Sequence, residues 1–157
     1  SKDEVSAILT QTLEEARGAA AGPVTLGIHC CGNTDWSLLL NAPIDILSFD
    51  SFGYFESLRL FDRALAHYLD RGGWLAWGLV PTNDDFKPET ADTLWRRFQS
   101  QVTQLAGDVH RGIKETLAQP LLTPACGTGY MSQDDSRRVL TTLKELSIRG
   151  QEWLAAL

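Results

Sequence analysis

Apolar residues recur at helical spacing from residue 3 to 17, at Val5, Ile8, Leu9, Leu13 and Ala16. Ser1 and Glu4 stand in capping-box register before that run, and Gly18 is the expected stop. After Gly22-Pro23, residues 24–29 read as a short strand. Asn33-Thr34 is the expected cap of a brief helix over 36–40. Pro43 leads into a second strand over 44–50. Leu58, Phe61, Leu65 and Leu69 predict one helix ending at Gly72-Gly73, and the apolar run 74–80 predicts a third strand. Pro88 opens a longer helical pattern through Leu94, Phe98, Val102, Leu105, Val109 and Ile113, with a break expected at Gly107-Asp108. Residues 120–125 read as a fourth strand, although prolines are poor strand residues. Ser132 is the expected cap of a last helix with Val139, Leu140, Leu143 and Leu146 inward, and residues 147–157 read as helical too.

Strands alternating with helices predict an α/β fold of parallel βα units. The strands are apolar runs, as parallel strands buried on both faces are. Four such units make either an open four-stranded sheet or half of an eight-stranded barrel. A complete barrel takes about 250 residues, so 157 residues cannot close one alone. A half-barrel has two open sheet edges and an apolar inner face, both hazards in water. Pairing with a missing half or with a second copy is therefore expected.

Composition narrows the function classes. Hydrophobic residues make up 43% and charged residues 22%, the balance of a single globular domain. Fourteen basic against twenty acidic residues give a net charge of −6, with no basic block. That balance argues against nucleic acid and anionic membrane as partners. No apolar stretch approaches the ~20 residues that span a bilayer, and no signal-peptide pattern opens the chain, so a cytoplasmic location is expected. Three cysteines are too few for a disulfide scaffold and read instead as metal ligands or reactive thiols. The chain opens with Ser1 and its single methionine is Met131, so it reads as a processed chain or a piece of something longer.

The candidate chemistry lies at the strand ends. His29 and Cys31 close the first strand in an H-x-C pattern, and residues i and i+2 of a strand point the same way. Cys126 closes the fourth strand and Asp50 the second. In parallel βα folds these ends share one rim, where active sites are built. Imidazole, thiolate and carboxylate are ligands of Zn²⁺, and three protein ligands plus an exchangeable position is the catalytic arrangement. Asp50 has two readings, a fourth ligand or the cap of the following helix. Cys30 should face away from its neighbours and pack in the core. Gly127 and Thr128, with Gly129 and Ser132, form either a cradle for a substrate anion or a tight turn. Thr82, Asn83 and Asp84 are expected on the rim. His67 and His110 are expected on helices in solvent-facing or packing roles, and Trp74 and Trp77 in the core.

Three separated segments, His29-Cys30-Cys31-Gly32-Asn33-Thr34, Asp45-Ile46-Leu47-Ser48-Phe49-Asp50 and Thr123-Pro124-Ala125-Cys126-Gly127, resemble the second half of the zinc-dependent thiol methyltransferase superfamily. That group includes cobalamin-independent methionine synthase and the methylcobamide:coenzyme M methyltransferases; uroporphyrinogen decarboxylases share its fold. The resemblance implies a TIM barrel, with residues 1–157 forming a single C-terminal half-barrel segment of its last four strands. It implies Zn²⁺ on His29, Cys31 and Cys126, a small thiol as substrate, and methylcobamide or methyltetrahydrofolate as methyl donor. The partners it implies are the N-terminal half of the barrel and a corrinoid protein. Where the methionine synthases place a Glu ligand, this chain has Asp50, one methylene shorter. The rival readings are a uroporphyrinogen decarboxylase-like enzyme and a non-catalytic module with a closed structural zinc.

Overall fold

The computed structural model describes residues 1–118 and 120–157. Helix α1 (Lys2–Ala19) leads into strand β1 (Gly27–Cys30), then α2 (Trp36–Leu40) and β2 (Ile46–Phe49). Helices α3 (Ser51–Arg59) and α4 (Asp62–Asp70) precede β3 (Trp74–Val80). Helices α5 (Ala91–Asp108) and α6 (Ile113–Thr116) precede β4 (Leu121–Pro124), and α7 (Gln133–Ala156) follows it. The sheet is all parallel in the order β1-β2-β3-β4. An α/β fold of parallel βα units is therefore observed.

Several local expectations shift. The capping box of Ser1 and Glu4 forms, but α1 runs through Gly18 to Ala19. Asp35 caps α2 instead of Asn33-Thr34, because its carboxylate accepts from the Ser37 N–H at 3.1 Å. The single helix expected before β3 is two, broken at Leu60-Phe61, where Phe61 opens α4 without a side-chain cap. Leu140 is exposed: it lies about 100° round the helix from Val139, which with Leu146 faces inward. His67 is exposed on α4; His110 is exposed in the turn after α5 and has a positive φ of 53°.

One face of the sheet is packed against helices. Leu47, Phe49, Leu75, Trp77 and Leu79 point to that side and are buried. Trp77 contacts the rings of Phe49, Phe55 and Phe98 at centroid distances of 5.4, 6.0 and 5.4 Å. A buried polar strut ties these layers: Gln101 Nε2 donates to the Ser51 carbonyl at 2.7 Å, and Ser51 Oγ donates to the Gly78 carbonyl at 3.1 Å.

The other face differs. Gly27 and His29 are exposed there and Ile46 and Ser48 are half-buried, while β3 contributes the small residues Ala76 and Gly78. The expected apolar inner face is thus mixed, and polar toward β1. Near the C-terminal strand ends it is closely packed, where the β3–β4 register is irregular between Gly78 and Val80. A β-carbon on Gly78 would lie 2.6 Å from the Phe49 carbonyl oxygen and 2.8 Å from the Ala125 Cα. Only glycine lets the end of β2 and the residue after β4 approach β3 to that distance.

Among the described residues, no helix is long and apolar enough to cross a membrane.

Candidate metal centre

The outer strands β1 and β4 are three strand spacings apart, about 14 Å on a flat sheet. Yet His29, Cys31 and Cys126 bring one ligand atom each to within 4.8 Å of one another. Cys31 and Cys126 lie just beyond the ends of β1 and β4, in the turns that follow, and Ala125 packs close over Gly78, which brings the second turn inward. The Cys31 and Cys126 sulfurs are 3.4 Å apart. Two thiolates on one tetrahedral Zn²⁺, each at ~2.3 Å, lie about 3.8 Å apart, so the pair needs little adjustment to share an ion. All three residues are exposed.

Each ligand is positioned by its surroundings. Ser48 is paired in register with His29 across β1 and β2. Its Oγ lies 2.9 Å from His29 Nδ1. That contact leaves Nε2 as the free ring nitrogen, the arrangement in which a histidine metal ligand is oriented by its other nitrogen. The loop after Cys31 is tethered to the helices: Trp36 Nε1 donates to Ser57 Oγ at 3.0 Å, and Ser57 Oγ donates to Asn33 Oδ1 at 2.6 Å. Cys30 turns the other way, as strand alternation requires, and its thiol donates to the Gly32 carbonyl at 3.4 Å. It packs against the core.

Contact with Cys126, followed by burial, pushes the Cys31 thiol above its ordinary value. A second sulfur so close disfavours a lone thiolate. A cation between the two reverses that preference.

Asp50 lies outside the group of three. Its side chain caps α3, accepting from the Gly53 N–H at 2.8 Å. Burial raises its carboxyl above the usual carboxylate range, partly offset by that hydrogen bond. It lines a cavity of about 400 Å³ together with Cys31, Cys126, Tyr54, Asn83 and Asp85. Gly127 and Thr128 are not among the cavity's lining residues. The Thr128 carbonyl closes a turn with the Met131 N–H at 3.0 Å, and Ser132 caps α7.

Sequence reasoning overlooked Ser48, Tyr54 and Asp85. Ser48 had a signal: it and Asp50 are polar residues on one face of an apolar strand. Tyr54 and Asp85 follow strand ends without any motif. Compared with family models, curated proteins and solved structures, the chain matches none.

Proposed function

We propose that this chain is the zinc-holding half of a thiol methyltransferase barrel, with His29, Cys31 and Cys126 as ligands. The observation that carries the reading is the convergence of an imidazole and two thiols from opposite edges of one sheet. A soft S₂N donor set suits Zn²⁺, and three protein ligands leave one tetrahedral position. Zn²⁺ bound there would hold an incoming thiol as its thiolate at neutral pH. Cys31 and Cys126 form part of the cavity wall, so an external sulfur has room to approach. His29 Nε2 is kept available by Ser48. Asp50 is occupied as a helix cap, which favours an open fourth position over a closed structural site.

The open parallel sheet supports the half-barrel reading. Among the described residues, β1 and β4 each have one unpaired edge. Apolar residues are exposed on both flanking helices, Val5 and Ile8 on α1 and Leu140 and Ile148 on α7. An N-terminal half or a second copy pairing along both edges would cover them. Methylcobamide or a methylated folate is the donor class that the sequence resemblance favours.

Metal analysis tests the reading. Purified protein should hold one Zn²⁺ per chain. Cys31→Ser and Cys126→Ser should each lose it and Cys30→Ser should keep it. Equal loss in all three variants would defeat the ligand assignment.

A further inference from the structure

We propose that Cys31 and Cys126 form a disulfide when a hydroperoxide reaches the metal-free site, and that Cys30 takes no part. In sequence the obvious redox pair is the adjacent Cys30-Cys31. The fold separates them: Cys30 faces the helices with its thiol on the Gly32 carbonyl, while Cys31 faces the cavity. The partner of Cys31 is 95 residues away in the chain, with sulfurs 3.4 Å apart. A disulfide bond is ~2.05 Å long, so the sulfurs must close by about 1.4 Å. Both residues are exposed, so a small oxidant has access.

The chemistry balances with hydrogen peroxide as the oxidant. One sulfur attacks the peroxide, the O–O bond breaks, a sulfenic acid forms and one water leaves. The second thiol attacks that sulfur, the S–S bond forms, the S–O bond breaks and a second water leaves. Two thiols lose two electrons and two protons; one peroxide becomes two waters. The pairing rests on the sulfur geometry alone. The further consequence, that bound zinc and the disulfide exclude each other, rests on the metal reading proposed above, since both use the same sulfurs.

The experiment is thiol titration and mass spectrometry of the full chain, metal-free and zinc-loaded, before and after hydrogen peroxide. In metal-free protein the three free thiols should fall to one, with a mass loss of about 2 Da. Digestion should yield one peptide joining Cys31 to Cys126, reversible by dithiothreitol. Cys30→Ser should form the same bridge. Zinc-loaded protein should keep its thiols under the same exposure. A crosslink through Cys30, or oxygen adducts without any crosslink, would overturn the proposal. Formation of the bridge in a protein that binds no zinc would uphold the dithiol and overturn only the metal reading.

Discussion

Gly78 and Ala125 pass so close that a β-carbon on Gly78 would sit 2.8 Å from the Ala125 Cα. The same β-carbon would be 2.6 Å from the Phe49 carbonyl oxygen on the other side of β3. The obstacles are backbone, which cannot swing aside. Gly78→Ala should therefore wedge β2 from β4 and move Cys126 away from Cys31. The expected cost is about 1–3 kcal/mol in stability, with a marked loss of zinc affinity. Urea unfolding and zinc titration measure the two effects. A variant with wild-type affinity would show that the close approach at Gly78 does not set the site.

Ser48 touches no metal in this scheme, yet it fixes the ring of His29. Ser48→Ala should weaken zinc binding by about 10–100-fold. Ser48→Thr, which keeps the hydroxyl, should recover most of it. Competition with a chromophoric chelator reads the affinity; no change in Ser48→Ala would remove Ser48 from the site.

Asp50 combines a helix cap with a partly buried charge. Its carboxyl is raised in the folded state, so the stability linked to it is present at acid pH and is lost as pH rises through the folded value. Asp50→Asn keeps a capping side chain and removes the charge. It should match or exceed wild-type stability at neutral pH, and its advantage should shrink in acid. Asp50→Ala should lose about 1 kcal/mol through the missing cap. Urea midpoints of metal-free protein across that range decide it; an Asn variant destabilised only at neutral pH would mean that the charge stabilises the fold.

Tyr68 is fully buried, with its hydroxyl 3.0 Å from the carbonyl oxygens of Asp45 and Trp74. Burial pushes its phenol up to about 12 from an ordinary 10.0. The raised value means a stability contribution that is complete below pH 10 and lost as pH climbs toward 12. Tyr68→Phe should remove that alkaline loss and cost about 1 kcal/mol at neutral pH. Unfolding midpoints at neutral and strongly alkaline pH check both parts. An unchanged alkaline slope in Tyr68→Phe would assign it to other groups.

Much of this fold was legible in the chain because its strands are apolar runs between turn residues. Trp74–Val80 was expected with its observed bounds, since glycines precede it and Pro81 follows. The break at Leu60-Phe61 was not legible, because neither glycine nor proline marks it and the apolar spacing continues across it. The site was legible only as candidates. Alternation placed His29 with Cys31 and turned Cys30 away, but nothing local to Cys126 fixes its distance from them. That distance depends on how closely the chain after β4 approaches β3, and Gly78 is where Ala125 meets it. The two roles of Asp50 were both visible; the hydrogen bond to Gly53 favours the cap.

Cobalt substitution tests the open-site reading most directly. Co²⁺ in place of Zn²⁺ should give sulfur-to-metal charge-transfer absorption from Cys31 and Cys126. A small thiol such as homocysteine or 2-mercaptoethanesulfonate should then strengthen that absorption and release a proton, because the free thiol is largely protonated near neutral pH and the bound one is not. An increase that saturates with thiol, and that Cys126→Ser abolishes, is the expected result. One bound metal whose spectrum no thiol alters would mean a closed structural site and would contradict a methyltransferase.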